Sequence, residues 1–200
     1  MGLMRGTAPL RLLQDRIHDE FVERLRVIAL SLRVGDPLDI TTEIGAISSS
    51  RQLVKNLAAV QVAQQQGARL LAGGQALAPV AGGYYMAPAL FDQVTPAMAL
   101  SRDEVFGPLL AVLPFDDEAH AVKLANDSVY GLAAAVWTSS LSRAHRMVAA
   151  VKAGVVHVNT YGGADMTVPI GGVRQSGNGH DKSMHAIDKY LDLKTAWIQL

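Results

Sequence analysis

Residues 109–159 read LLAVLPFDDEAHAVKLANDSVYGLAAAVWTSSLSRAHRMVAAVKAGVVHVN. The segment alternates short apolar runs with stretches of helical periodicity. Strands are predicted at 109–115, 132–138 and 155–159, and helices at 116–126 and 141–152. The runs are apolar on both faces of an extended chain, which is typical of strands buried in a parallel sheet. The order strand, helix, strand, helix, strand predicts an α/β fold with three layers, in which helices cover both faces of a mostly parallel sheet.

The flanking sequence adds elements on both sides of this unit. We predict one helix at 16–33 and a second from about residue 50 to Gly67, followed by a short strand at 68–72. The inner face of the first helix is expected to consist of Ile17, Phe21, Leu25, Ile28 and Leu32. Residues 75–107 are expected to be irregular, with strand-like pieces. The chain then ends with a Gly-rich loop, a helix and a last strand, at 160–179, 180–190 and 193–200.

The composition excludes several classes of function. Lysine and arginine balance the 18 acidic residues and leave no net charge, so we expect no nucleic-acid partner. No apolar run approaches the length of a membrane span. The absence of cysteine from all 200 residues excludes disulfides, thiolate metal sites and thiol catalysis by this chain. Size and composition predict a single domain over residues 1–200, and we expect a cytoplasmic location.

One short motif combines a carboxylate with an aromatic ring directly before an apolar strand. It reads Asp103-Glu104-Val105-Phe106-Gly107-Pro108. A carboxylate can accept hydrogen bonds from both hydroxyls of a ribose while a neighbouring ring packs against a flat base. The alternative is that Glu104 is a solvated loop residue and that Phe106 belongs to the core. The residues alone leave both interpretations open.

Other candidate motifs fail on spacing. Residues 171–179, GGVRQSGNG, place Asn178 where a phosphate-binding loop needs lysine, and no G-x-G-x-x-G follows a strand. His180 and His185 are five residues apart and no H-E-x-x-H occurs, so no metal site is predicted. No G-x-S-x-G elbow is present.

Seven stretches are informative together, through their order and spacing. They are DEFVERL at 19–25, VGDPLD at 34–39, IGAISSSRQ at 44–52, EVFGP at 104–108, ANDSVYGLAAAVWT at 125–138, AGVVHVN at 153–159 and VPIGGVRQSGNG at 168–179. Over about residues 10–200 they resemble the aldehyde dehydrogenase superfamily, specifically the C-terminal part of its catalytic domain. The tail from Asp165 onward resembles most the branch that oxidises γ-glutamyl-aminobutyraldehyde and related amino aldehydes.

The resemblance implies site residues at the matching positions. Glu104 would bind the nicotinamide ribose, and Phe106 would pack at the nicotinamide end of the cofactor. Gln52 and Lys55 match positions that reach toward the cofactor's ribose. The segment at about 191–200 matches a strand that pairs with an oligomerisation element, so a homo-oligomer is expected. The mouth and wall of the aldehyde tunnel match Gly162, Gly163, Asp165 and Ile170, and isoleucine at the last of these stands where phenylalanine is usual.

The family's catalytic cysteine has no counterpart in this chain. In the family this cysteine precedes the helix that contains DEF by a fixed distance, and the matching position here is about Arg5. The sequence around it is Met4-Arg5-Gly6-Thr7-Ala8-Pro9, within an atypical N-terminus of about residues 1–15. The family reaction is the NAD- or NADP-dependent oxidation of an aldehyde to a carboxylic acid, with a thiolate nucleophile and a glutamate general base. The resemblance places both groups and the dinucleotide-binding domain outside this chain. We therefore expect no catalytic residue, no bound cofactor and no turnover in the isolated chain.

Three hypotheses follow for the chain itself. In the first, it is part of an aldehyde dehydrogenase and is inactive alone. In the second, it is a non-catalytic structural or oligomerisation module that joins itself or an intact dehydrogenase through its apolar edge. In the third, it is a binding protein for NAD or for an aldehyde. One ribose contact and one stacking face, without a phosphate site, predict no useful affinity for the third.

Overall fold

From the first helix to the strand at 155–158 the predicted elements are present in the predicted order, and two further strands precede that helix. The computed structural model describes residues 2–5, 10–162 and 165–200. The strands are β1 (Gly2–Arg5), β2 (Leu10–Gln14), β3 (Arg69–Ala72), β4 (Ala76–Leu77), β5 (Tyr85–Met86), β6 (Ala89–Asp92), β7 (Leu109–Phe115), β8 (Ala133–Trp137), β9 (Val155–Val158), β10 (Ile170–Gly171) and β11 (His180–Asp181). The α-helices are α1 (Asp15–Ser31), α2 (Ser50–Gln65), α3 (Ala99–Arg102), α4 (Glu118–Asn126) and α5 (Leu141–Ala150). In the described ranges, no helix is long and apolar enough to cross a membrane.

A seven-stranded sheet organises the chain, in the order β3-β6-β7-β2-β1-β8-β9. Its parallel pairs are β6 with β7, β7 with β2, and β8 with β9. β1 pairs antiparallel with both β2 and β8, and β3 pairs antiparallel with β6. Five strands therefore run in one direction and two, β1 and β3, run against them. The predicted α/β class with a mostly parallel sheet is confirmed.

Helices cover both faces of this sheet, as predicted. α2, α4 and α5 contribute to the larger core cluster on one face, together with Leu109, Leu113 and Phe115 of β7. α1 covers the other face, where Val22 packs in a smaller cluster with Val112 of β7. β7 is thus covered on both sides, which explains its nearly continuous apolar sequence.

The buried face of α1 differs from the prediction. Val22 is its buried residue, and Leu25 and Ala29 pack partly against the same cluster, whereas Phe21 and Ile28 are exposed. The prediction considered apolar residues only. His18 lies on the true inner face, one turn before Val22, and its Nε2 is 2.8 Å from Oδ1 of the buried Asp92 on β6. This polar contact fixes the rotation of the helix about its axis.

The C-terminal elements also differ from the prediction. An α-helix over 180–190 is not formed, because Lys182 and Ser183 have positive φ angles, and only a 3₁₀ helix, Met184–Tyr190, follows them. The predicted strand at 193–200 is likewise not formed. A strand requires a hydrogen-bonded partner, and within the part of the chain that the structure describes no strand pairs with this exposed segment.

The His18–Asp92 contact makes stability depend on pH. Burial lowers the pKa of His18, but hydrogen bonds to the carboxylates of Asp19 and Asp92 and their negative charges outweigh burial and leave that pKa above 6.5. A pKa that is raised on folding contributes stability below the unfolded value, and this contribution is lost as pH rises through the folded value. Urea unfolding should therefore show the free energy of unfolding falling as pH rises above 6.5.

The substitution His18→Gln should remove most of this decline, because glutamine does not titrate. It should also lower stability below pH 6.5 by roughly 1–3 kcal/mol, because a charged hydrogen bond to a buried carboxylate is lost. His145→Gln on the exposed side of α5 is the matched control and should keep the wild-type slope. An unchanged slope in His18→Gln would refute this assignment.

Candidate functional site

The loop that carries Glu104 and Phe106 is held in place on three sides. The Val105 side chain between them is buried in the larger core cluster. The carbonyl of Pro108 accepts a hydrogen bond of 2.8 Å from the backbone N–H of Ala89 at the start of β6. β7 begins directly after the loop, at Leu109. These anchors fix the backbone of residues 105–109 against the sheet.

Helix α2 supplies a further anchor, through Gln52. Ser49 caps this helix, and its Oγ accepts a hydrogen bond of 3.2 Å from the backbone N–H of Gln52. The side-chain Nε2 of Gln52 then donates to the carbonyl of Phe106 at 2.7 Å and to Oδ1 of Asn56 at 2.7 Å. Two residues that the resemblance implied for one site, Gln52 and Phe106, are therefore in direct contact.

The side chain of Phe106 does not belong to the core. It is 67% exposed, whereas Val105 beside it is buried and Glu104 is partly buried. The carboxylate of Glu104 and the ring of Phe106 thus flank the buried Val105, and both side chains are at least partly accessible to solvent. The interpretation of Phe106 as a core residue is thus wrong. An exposed ring on an anchored backbone, close to a carboxylate, fits a flat, hydroxylated ligand.

Lys55 is placed less specifically. It is exposed, three residues after Gln52 and therefore about one turn along the same helix. Among the described residues, no hydrogen bond or ion pair joins it to the loop of Glu104 and Phe106. Its expected contact with the cofactor's ribose stays a prediction.

A second feature is a cavity of about 550 Å³ beside β8 and β9. Three of the four residues predicted for the aldehyde tunnel line it, and the fourth, Gly163, lies outside the described residues. Its walls are mainly apolar, formed by Leu132, Ala133, Val155, Val156, His157, Tyr161, Gly162, Asp165, Val168, Pro169 and Ile170. The cavity is therefore suited to an apolar molecule with one polar end.

Asp165 places a fixed negative charge on this cavity. The backbone N–H of Thr167 donates to its Oδ1 at 2.8 Å, and the Thr167 hydroxyl donates at 2.7 Å. These hydrogen bonds, together with the positive charge of Lys182, hold the pKa of the Asp165 carboxyl below its usual value. Asp165 is therefore ionised at neutral pH. Tyr161 adds an aromatic ring to the same cavity, with its centroid 5.6 Å from that of His157.

The loop and the cavity lie at the same edge of the sheet. β7, β2, β8 and β9 run in one direction, and we call the edge where they begin the amino edge. The loop precedes β7 there, and the cavity contains the first residues of β8 and β9. The backbone of Arg5 pairs with Leu10 and Ala134, and Leu10 pairs with Ala111. Position 5, near which the sequence predicts the family's nucleophile position, therefore lies between the loop and the cavity along the sheet.

Two residues that contact this site were not predicted from the sequence. Asn56 receives the hydrogen bond from Gln52, and Tyr161 lines the cavity. A signal for Asn56 was present, since a polar residue four positions after Gln52 interrupts the apolar face of α2. Thr7, the hydroxyl near the nucleophile position, lies outside the described residues. In the ranges that the structure describes, no three His, Asp or Glu residues converge as metal ligands.

Known proteins share both sequence and fold with this chain. The NADP/NAD-dependent aldehyde dehydrogenase PuuC of Escherichia coli K12 is 47% identical over 189 residues, which cover 94% of this chain and 37% of that protein. A betaine aldehyde dehydrogenase of Rhizobium etli is 41% identical, with 92% of this chain and 38% of that protein covered. The solved structure of the aldehyde dehydrogenase KauB from Pseudomonas aeruginosa superposes with a TM-score of 0.90 at 47% identity, covering 94% of this chain and 38% of that one.

These matches cover only part of the length of each relative. The chain spans less than two-fifths of the length of each of these relatives. An indole-3-acetaldehyde dehydrogenase solved with NAD⁺ superposes with the same TM-score of 0.90 at 46% identity, again over 94% of this chain and 38% of that one. The family profile described as "Aldehyde dehydrogenase family" matches residues 7–196. The chain belongs to the aldehyde dehydrogenase family.

Proposed function

We propose that this chain forms the nicotinamide-ribose contact and the aldehyde-tunnel wall of an NAD(P)-dependent aldehyde dehydrogenase. The reaction is the oxidation of an aldehyde to a carboxylic acid. The observation that carries the proposal is the arrangement at the amino edge of the sheet. The loop of Glu104 and Phe106, the backbone of position 5 and the apolar cavity follow one another along that edge.

Each side chain has a defined part in this reaction. The Glu104 carboxylate accepts hydrogen bonds from the hydroxyls of the nicotinamide ribose, and the exposed Phe106 ring packs beside the nicotinamide. NAD(P), when bound, would supply the acceptor for the hydride that leaves the aldehyde carbon after the external nucleophile has attacked it. The cavity walls exclude water and direct the aldehyde carbon toward position 5. This division of roles holds two reactants in a fixed mutual geometry, which is a large source of rate enhancement.

The nucleophile and the general base must come from outside these 200 residues. None of the 200 is cysteine, and losing a nucleophile alone lowers turnover by several orders of magnitude. A chain with only ribose contacts and tunnel walls is therefore inactive by itself. We place it in the cytoplasm, as part of a larger dehydrogenase.

The cavity favours an amino aldehyde as the substrate. An ionised Asp165 and the Tyr161 ring are the two groups that attract a cation, by charge and by the negative face of the ring. The apolar walls accommodate the methylene chain between the amine and the aldehyde. Two of the relatives are named for NADP/NAD-dependent aldehyde oxidation and for betaine aldehyde, and the latter is a cation.

A second proposal concerns association. Leu193, Trp197, Ile198 and Leu200 are almost fully exposed at the C-terminus, and exposed apolar residues in an extended segment favour strand addition to another chain. We expect the segment to pair in a homo-oligomer or with an intact dehydrogenase subunit. Light scattering should give a mass of at least twice 21.3 kDa, and removal of residues 191–200 should reduce it. A monomer before and after removal would refute this proposal.

The role of Glu104 can be tested in a chimera. Residues 10–196 of this chain replace the matching part of Escherichia coli PuuC, which supplies everything upstream. Glu104→Gln should lower kcat/KM about 10- to 100-fold, since it weakens a charge-assisted hydrogen bond of about 1.5–3 kcal/mol. NADH formation with γ-aminobutyraldehyde is the measurement, and the isolated 200-residue chain should form none.

Glu20→Gln on the exposed side of α1 is the matched control. It removes the same charge away from the amino edge and should leave kcat/KM unchanged. Equal kcat/KM for the Glu104→Gln and Glu20→Gln chimeras would contradict the assigned role. Turnover by the isolated chain would contradict its dependence on an external nucleophile.

The substrate class can be tested at Asp165 in the same chimera. Asp165→Asn keeps an oxygen to accept from Thr167 and removes the charge. KM for γ-aminobutyraldehyde should rise about fivefold, equivalent to about 1 kcal/mol for an exposed ion pair, while KM for the neutral butyraldehyde stays constant. If both KM values change equally, Asp165 shapes the cavity without selecting an amine.

A further inference from the structure

We propose that Asn56 is a positioning residue for the loop of Glu104 and Phe106, acting through Gln52 and Gly107. The proposal rests on the function assigned above, because it concerns how the ribose-binding pair is held. Asn56 lies on α2, one turn after Gln52, and its side chain is fully buried. It touches no cofactor or substrate position itself.

Hydrogen-bond chemistry fixes the orientation of both amides. The carbonyl of Phe106 can only accept, so Gln52 must present its NH₂ group toward the loop at 2.7 Å. The other hydrogen of this NH₂ needs an acceptor, and Oδ1 of Asn56 is 2.7 Å away. Asn56 is therefore held with its oxygen toward Gln52. Rotating either amide by half a turn would place two donors or two acceptors against each other.

The flat face of the Asn56 amide packs against Gly107. A Cβ atom added at Gly107 would lie 2.3 Å from Nδ2 and 2.6 Å from Cγ of Asn56. Only glycine can approach so closely, and the φ angle of Gly107 is not in the left-handed region, so the requirement is steric. The Asn56 amide thus supports the loop directly at Gly107 and, through Gln52, at the carbonyl of Phe106.

The presence of asparagine at position 56, instead of an apolar residue, supports this positioning role. Its Nδ2 has no hydrogen-bond partner among the described residues although it is buried, an arrangement that destabilises a folded protein. The neighbouring inner positions of α2, Leu53 and Leu57, pack against the core as apolar residues. A leucine at position 56 would remove the unpaired donor. What leucine cannot supply is the acceptor that orients Gln52.

Fluorine NMR of the full chain tests the proposal without any cofactor. The chain contains four phenylalanines, at positions 21, 91, 106 and 115, and incorporation of 4-fluorophenylalanine gives one line for each. Phe106→Leu assigns the line of interest. Asn56→Leu and Gln52→Ala should each move the Phe106 line by more than its width while the lines of the core residues Phe91 and Phe115 stay in place. The double variant should move it no further.

Asn56→Asp is the rescue variant, because it keeps an acceptor oxygen facing Gln52. It should retain the wild-type position of the Phe106 line. A purely structural role for Asn56 would change the unfolding midpoint and leave the Phe106 line in place well below that midpoint. The proposal is overturned if Asn56→Leu does not move the Phe106 line, or if Asn56→Asp moves it as far as Asn56→Leu does.

If Asn56→Leu shifts the fluorine lines of all four phenylalanines, a second pair of variants tests the proposal. Gly107→Ala introduces a Cβ into the Asn56 amide and should displace the Phe106 line strongly. In Asn56→Ala/Gly107→Ala the new methyl group fills the vacated space, so the displacement should be smaller. An equal displacement in both variants would overturn the proposal. Neither result depends on NAD binding, so a failure here is distinct from a failure of the proposed function.

Discussion

The burial of β7 on both faces is the constraint on which the rest of the structure depends. Leu109, Leu113 and Phe115 pack under α2, α4 and α5, whereas Val112 packs under α1. Each fully buried side chain of this size contributes about 1.5–3 kcal/mol relative to exposure. β7 therefore cannot slide or rotate, because a shift by one residue would exchange its two faces. The loop that carries Glu104 and Phe106 directly precedes β7, so its backbone is fixed at that end.

A small number of polar groups connect the loop of Glu104 and Phe106 to helix α2. The NH₂ of Gln52 joins α2 to the carbonyl of Phe106, and the Asn56 amide lies against Gly107. These contacts hold the backbone of Phe106 in place while its ring stays exposed. The cavity at β8 and β9 begins at the same amino edge. One edge of one sheet thus carries both the proposed cofactor contact and the proposed substrate wall.

Much of this arrangement could be predicted from the sequence, and the exceptions have a common physical origin. Periodicity located β7, α4, β8, α5 and β9 because each buries a repeating set of apolar residues. It failed for α1, where the polar pair of His18 and Asp92 sets the rotation of the helix, and for 193–200, which has no partner strand among the described residues. The motif around Glu104 was visible, but the exposure of Phe106 was not, because it depends on contacts with α2, some 50 residues earlier. Asn56 was overlooked for the same reason.

The most direct test is the crystal structure of the chimera of residues 10–196 with PuuC, grown with NAD⁺. We expect the hydroxyls of the nicotinamide ribose to lie within hydrogen-bonding distance, about 2.5–3.0 Å, of the Glu104 carboxylate. We also expect the Phe106 ring to pack at the nicotinamide and Gln52 still to donate to the carbonyl of Phe106. A nicotinamide ribose bound at another edge of the sheet, with Glu104 in solvent, would refute the proposed role of this loop.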